Sequence, residues 1–240
     1  MAQLGNTIVS LGPVEELITY EFLDANLGRT ALATWRQGFS RLEFLGDSIL
    51  GLAVFSTSEI HHIDRQQAIA RVSNHHLDSV FNETFAGHTS SNSGDVIEAL
   101  IGAVHLDGGY EEAARVATAL CLPEHQLAVP PVHLDDQDVS SIRSLSFVGA
   151  AVLSAAVADE LCRENPGQTH RWFSEQRTAA LSRWHLAEVS MRLKYSPEGD
   201  LEDEKFRAKA SDALEAAVGE QYFRRGWDVA RNSSLRIVRL

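Results

Sequence analysis

Apolar residues recur at three- and four-residue spacing in six stretches, 42–55, 66–86, 95–106, 145–162, 175–193 and 210–223. That period predicts helices with one apolar face. A further helical segment is expected within PVEELITYEFLDANLGRTALAT, residues 13–34. Alternating runs closed by turn pairs are scarce, so strands are not expected and the fold class is all-α. Between the helical halves lies LPEHQLAVPPVHLDDQDVSS, residues 122–141. It holds Pro123, the Pro130–Pro131 pair and three closely spaced aspartates without helical periodicity, which marks a linker. The pattern predicts domains over 1–121 and 142–230, followed by a short tail, 231–240.

The two halves repeat three blocks in the same order. LEFLGDSIL (42–50) parallels LSFVGAAVL (145–153), AIARVSNHHLDSV (68–80) loosely parallels AALSRWHLAEVSM (179–191), and GDVIEALIGAVHLDGGY (94–110) parallels SDALEAAVGEQYFRRGW (211–227). A duplicated unit is expected. The leading segment of residues 1–41 has no clear counterpart in the second half.

The first copy carries the candidate chemistry. Glu43 and Asp47 are four residues apart, and Asp95 and Glu98 three apart, so each pair shares one helix face beside apolar neighbours. Carboxylates near an apolar side are costly without a cation, and four together repel when ionised. A hard divalent ion with oxygen ligands relieves both; Mg²⁺ is the first choice and Mn²⁺ the substitute. The residues alone also permit a plainer reading, in which the acids are surface charges near caps or ion pairs.

Charge and composition sharpen the picture. The formal net charge is −12, which excludes a generally basic nucleic-acid coat. Residues 1–120 carry 6 Arg, no Lys and 15 acids, whereas 121–240 carry 15 Lys and Arg against 18 acids. From Arg224 onward, Arg224, Arg225, Arg231, Arg236 and Arg239 face one acid, Asp228. This end is either a docking surface for RNA or a solvated mixed-charge face. Cys121 and Cys162 have no metal-ligand spacing and are expected to be free thiols. No stretch reads as a membrane span or a secretion signal, so no membrane association is expected and the chain is read as cytoplasmic.

RLEFLGDSIL (41–50) and GDVIEALIGAVHLDGGY (94–110) closely resemble the two signature segments of the ribonuclease III family, and YEFLDANLGRTALAT (20–34) and VSN (72–74) are similar to it too. The resemblance is strong over about the first 110 residues and weak beyond. It implies an all-helical, Mg²⁺-dependent endoribonuclease that hydrolyses phosphodiesters in double-stranded or structured RNA. The four catalytic and metal-binding carboxylates then fall on Glu43, Asp47, Asp95 and Glu98. Two such domains pair in this family, and the Phe of the first signature lies at the pairing interface; here these are Phe44 and its counterpart Phe147.

The chain departs from the family in several places. Ser40 stands where a further acid often precedes the first signature, the loop before Asp95 is the short run GHTSSNSG (87–94), and no separate double-stranded-RNA-binding domain is expected after residue 230. In the second copy Glu43 and Asp47 are matched by Ser146 and Ala150, while Asp212 and Glu215 match Asp95 and Glu98. Loss of two anionic ligands predicts a degenerate site, its surviving acids serving an interface or a cap. The expectation is an internal pseudo-dimer with one competent centre; two chains pairing through their first domains would give two. A non-catalytic RNA-binding or assembly module on the same fold is the alternative.

Other residues suggest little chemistry. His61–His62 and His75–His76 point to different sides of a helix. His105 is expected in the core, as are Trp172, Trp184 and Trp227. Gly46 and Gly102 are expected to permit close approach of helices rather than to cradle phosphate.

Overall fold

The computed structural model describes residues 11–34, 36–85, 93–125 and 142–239. Among them the regular elements are all helical: α1 (Leu11–Ile18), α2 (Ala25–Ala31), α3 (Phe39–Ile60), α4 (Arg65–Arg71), α5 (Asn74–Thr84), α6 (Ser93–Gly108), α7 (Tyr110–Cys121), α8 (Ile142–Glu164), α9 (His170–Ala180), α10 (Arg183–Arg192) and α11 (Glu204–Val238). A single 3₁₀ turn, Pro123–His125, follows α7. Most of the expected linker lies outside the described residues, as do residues 86–92 of the loop before α6.

Two of the periodic stretches are each two helices. The run 66–86 breaks at Val72–Ser73 and the run 175–193 at Leu181–Ser182. In both places a serine hydroxyl caps the start of the next helix: Ser73 accepts from the His76 amide at 3.4 Å and Ser182 from the His185 amide at 3.3 Å. Such capping competes with helix continuation, although the apolar period runs through it.

The chain forms two compact units, residues 1–54 with 61–127, and residues 55–60 with 128–240. In the first, α2, α5 and α7 pack on α6, whose residues from Ser93 to His105 are nearly all buried. The leading segment is tied down by Asp107 at the end of α6. Its carboxylate accepts from the Tyr20 hydroxyl at 2.8 Å and from the Leu23 and Asp24 amides at 2.7 and 2.8 Å. Burial first, and then this carboxylate, raise the Tyr20 hydroxyl pKa well above its ordinary value.

In the second unit α8 and α10 pack along α11. The core there includes Val148, Val152, Phe173, Leu186, Leu214 and Tyr222. By length and hydropathy α8 would suffice to span a bilayer, but 61% of its apolar window is buried inside the fold, which suits a core helix. Within this unit the Phe147 ring lies 4.7 Å from that of Phe55. Asp159, 1% exposed, lies between Arg163 (2.7 Å) and Arg231 (2.5 Å), and Arg231 also reaches Glu160 at 3.0 Å. Residues 231–238, expected as a tail, are therefore the last turns of α11, and Arg239 beyond them pairs with Glu160.

The units share local geometry in detail. Gly46 of α3 crosses α6 at Glu98 and Gly102, and Gly149 of α8 crosses α11 at Glu215 and Gly219. Gly109, between α6 and α7, has φ 89° and ψ −178°; Gly226, a break inside α11, has φ 77° and ψ −179°. This left-handed conformation favours glycine. The serine caps match as well, Ser73 before α5 and Ser182 before α10. These matches shift the middle block by two residues from its sequence pairing, so that Ser73 matches Ser182 and Asn74 matches Arg183.

A candidate metal centre

The site is built on the crossing of α3 and α6. A Cβ on Gly46 would lie 1.7 Å from the Glu98 carbonyl oxygen, and one on Gly102 would lie 2.1 Å from that of Leu42. Only glycine fits at either position, so the two backbones meet directly. Glu43 lies one turn before Gly46 on α3, and Glu98 one turn before Gly102 on α6, so both reach the same side of the crossing. The start of α6 is held by Asp78, whose carboxylate accepts from the Gly94 amide at 2.8 Å. Asp95 follows immediately.

The result is a three-carboxylate cluster. Glu43, Asp95 and Glu98 each offer an oxygen within 4.8 Å of the others. Asp47, one turn along α3, is exposed and lies outside that set, but its charge acts on both Glu43 and Glu98. Burial, followed by the charges of Asp95 and Asp47, raises the Glu43 pKa to about 7. Burial, followed by Asp47, Asp95 and Glu43, raises that of Glu98, 8% exposed, to about 8. Burial and the neighbouring carboxylates all disfavour the charged form of the two acids. Clustered, half-buried carboxylates suit a hard divalent ion, and the residues present fit one.

The second unit offers no such cluster among the described residues. Ser146 Oγ donates to the Arg143 carbonyl at 3.2 Å, and Ala150 has no polar atom to offer. Burial and Asp212 raise the Glu215 pKa to about 7, opposed by Arg183. The cap of α11 is Asp203, so Asp212 and Glu215 sit inside the helix and the expected capping role does not hold.

Other expectations separate cleanly. His105 is buried at 2% exposure and Trp227 at 5%. Trp184 is 43% exposed, contrary to the expected core position, with the Arg207 guanidinium 5.4 Å from its ring centre. Cys121 and Cys162 are free and buried. Phe44 is fully buried. The sequence reading missed Asp78 and Asp107. Both are acids whose value lies in amides distant along the chain, and only Asp107, inside the second signature segment, stood near a recognisable word.

No protein-family profile matches the chain. Individual relatives do. A Campylobacter jejuni protein named Ribonuclease 3 is 32% identical over 132 residues, covering 45% of this chain and 59% of its own length. A Rhodopseudomonas palustris Ribonuclease 3 is 32% identical over 130 residues, covering 42% and 48%. A Thermobifida fusca Ribonuclease 3 is 36% identical over 104 residues, covering 35% and 43%. The chain thus spans about half the length of the curated relatives it matches.

Proposed function

The chain belongs to the ribonuclease III family, and from that premise we propose that it is a divalent-metal-dependent endoribonuclease acting on double-stranded or structured RNA. The observation that carries this reading is the convergence of Glu43, Asp95 and Glu98 from two helices onto one point. A Mg²⁺ or Mn²⁺ ion bound there supplies charge neutralisation and a water acidic enough to attack a phosphodiester at neutral pH. Glu43, Asp95 and Glu98 hold the ion, and Asp47, at the exposed rim, orients the attacking water.

The chain's own residues divide the labour. The glycine crossing fixes the distance between the acids, Asp78 anchors the helix start that carries Asp95, and Glu98 lies at the buried end. The second unit is proposed as a degenerate copy, since Ser146 and Ala150 stand where α3 has Glu43 and Asp47. One competent centre per chain follows. The pairing role that the family gives to Phe44 and Phe147 is part of the same proposal.

The test is cleavage of end-labelled duplex RNA with Mg²⁺, alongside Asp47→Ala and Glu98→Ala. Strand-specific cleavage lost in both variants is expected. RNA binding without cleavage would assign the chain instead to a non-catalytic module, and cleavage that survives both substitutions would remove the site assignment.

A further inference from the structure

The clustered carboxylates are carried by α3 and α6, but a third helix touches the place from which one of them projects. We infer that Asp78 of α5 is a positioning residue for the metal centre: its hydrogen bond to the Gly94 amide fixes Asp95, so that divalent affinity depends on α5. The inference rests on the proposed reading of Glu43, Asp95 and Glu98 as metal ligands.

The contact is direct. Asp78 Oδ1 accepts from the Gly94 amide at 2.8 Å, and Asp95 follows Gly94 in the first turn of α6. The first amides of a helix have no partner within it. Gly94 is buried, so water is a poor substitute for the carboxylate. Packing brings the two groups together. A Cβ on Gly94 would lie 3.2 Å from the Leu77 Cβ and 3.4 Å from the Asn74 carbonyl oxygen. Asn74, Leu77 and Asp78 share one face of α5, and the glycine lets α6 begin against that face. Holding the Gly94 amide sets the first turn of α6 against α5, and Asp95 projects from that turn. Glu98, a turn further on, is set by the glycine crossing with α3. The two devices thus act on different ligands.

The second unit gives the contrast. By the register of the serine caps, Ala187 matches Asp78 and Ser211 matches Gly94. Helix α11 starts at Glu204, so Ser211 lies inside it, where the backbone one turn back takes the amide. The unit whose acids form no cluster among the described residues has no acceptor side chain at the matched position. Asp78 itself is exposed, so replacing it removes little packing. Its loss should be felt in the geometry of the site more than in the fold.

The experiment counts Mn²⁺ bound to the full chain, by paramagnetic resonance of the free ion, in wild type, Asp78→Asn, Asp78→Ala and Glu98→Gln. Asparagine keeps an oxygen acceptor and drops the charge; alanine drops both. Affinity about tenfold lower in Asp78→Ala, and within about twofold of wild type in Asp78→Asn, is expected. Wild-type affinity in Asp78→Ala would overturn the inference, and so would equal losses in the two variants, which would assign the effect to charge. Glu98→Gln separates this result from the reading beneath it. Unchanged binding there removes the site itself, whereas binding lost there but kept in Asp78→Ala removes only the role of Asp78. The rise in thermal midpoint produced by Mg²⁺, each variant against its own metal-free state, is a second readout that a simple loss of stability does not move. It should shrink in Asp78→Ala and persist in Asp78→Asn; an equal rise in both would also overturn the inference.

Discussion

Gly46 stands against Glu98 with no room for a side chain, since a Cβ there would fall 1.7 Å from the Glu98 carbonyl oxygen. The neighbouring atom is backbone and cannot rotate away, so Gly46→Ala must push α3 from α6. Overpacking of a core costs about 1–3 kcal/mol, and a backbone clash belongs at the upper end. Gly46→Ala is expected to lower the thermal midpoint by several degrees and to abolish divalent binding, because the crossing also sets the spacing of Glu43 and Glu98. Calorimetry with and without Mg²⁺ measures both effects; a variant of wild-type stability and affinity would contradict the crossing.

The acids predict an unusual pH response. In the folded chain Glu43 and Glu98 hold their protons up to about 7 and about 8, against an ordinary value of 4.5. Without metal, the folded state therefore binds more protons than the unfolded state between those limits. Stability from these groups is full below about pH 4.5 and is lost as pH rises towards 8. Divalent ions need the deprotonated acids, so their affinity should rise over the same window and binding should release protons. Thermal midpoints from pH 5 to 9, with Mg²⁺ and with chelator, should diverge as pH increases. Glu98→Gln should flatten the metal-free decline.

Asp159 predicts a different kind of loss. Its carboxylate, 1% exposed, pairs with Arg163 and Arg231. Removing one partner of a buried pair costs roughly 3–5 kcal/mol, chiefly because the other is left uncompensated. Here Arg163 is half-exposed and Arg231 keeps Glu160, so the lower end is expected for Asp159→Ala. Denaturant unfolding checks this.

Both cysteines should be silent in the native state. Burial pushes the Cys121 thiol up to about 12, and neither Cys121 nor Cys162 is exposed. Reaction needs the thiolate and access to solvent. Labelling by an aromatic disulfide reagent at pH 8 should wait on unfolding, with two thiols reacting at once in denaturant. Rapid labelling of the folded chain would disprove the packing around α7 and α8.

Much of this architecture was legible in the chain itself. The helical period located α3, α6, α8 and the middle of α11, since these bury a continuous apolar face. Glu43, Asp95 and Glu98 were legible because a carboxylate amid apolar letters needs a reason, and the same logic marked Gly46 and Gly102. The breaks at Ser73 and Ser182 were not, because the apolar period passes through them and only a hydroxyl capping the start of the next helix marks them. Asp47 read as the equal of its three partners; its place at the exposed rim depends on how α3 is rotated over α6, which spacing does not encode.

The final turns of α11 change what the arginine-rich end of the chain can do. Counted as letters, that end promises attraction for any polyanion. Arg231 and Arg239, however, are already bonded to Asp159 and Glu160, and Arg224 to Glu220. An incoming phosphate chain must compete with these carboxylates for each guanidinium, and would strip the support of α8 wherever it won. Electrostatic capture by this end should be weaker, and less sensitive to ionic strength, than its count of cations implies.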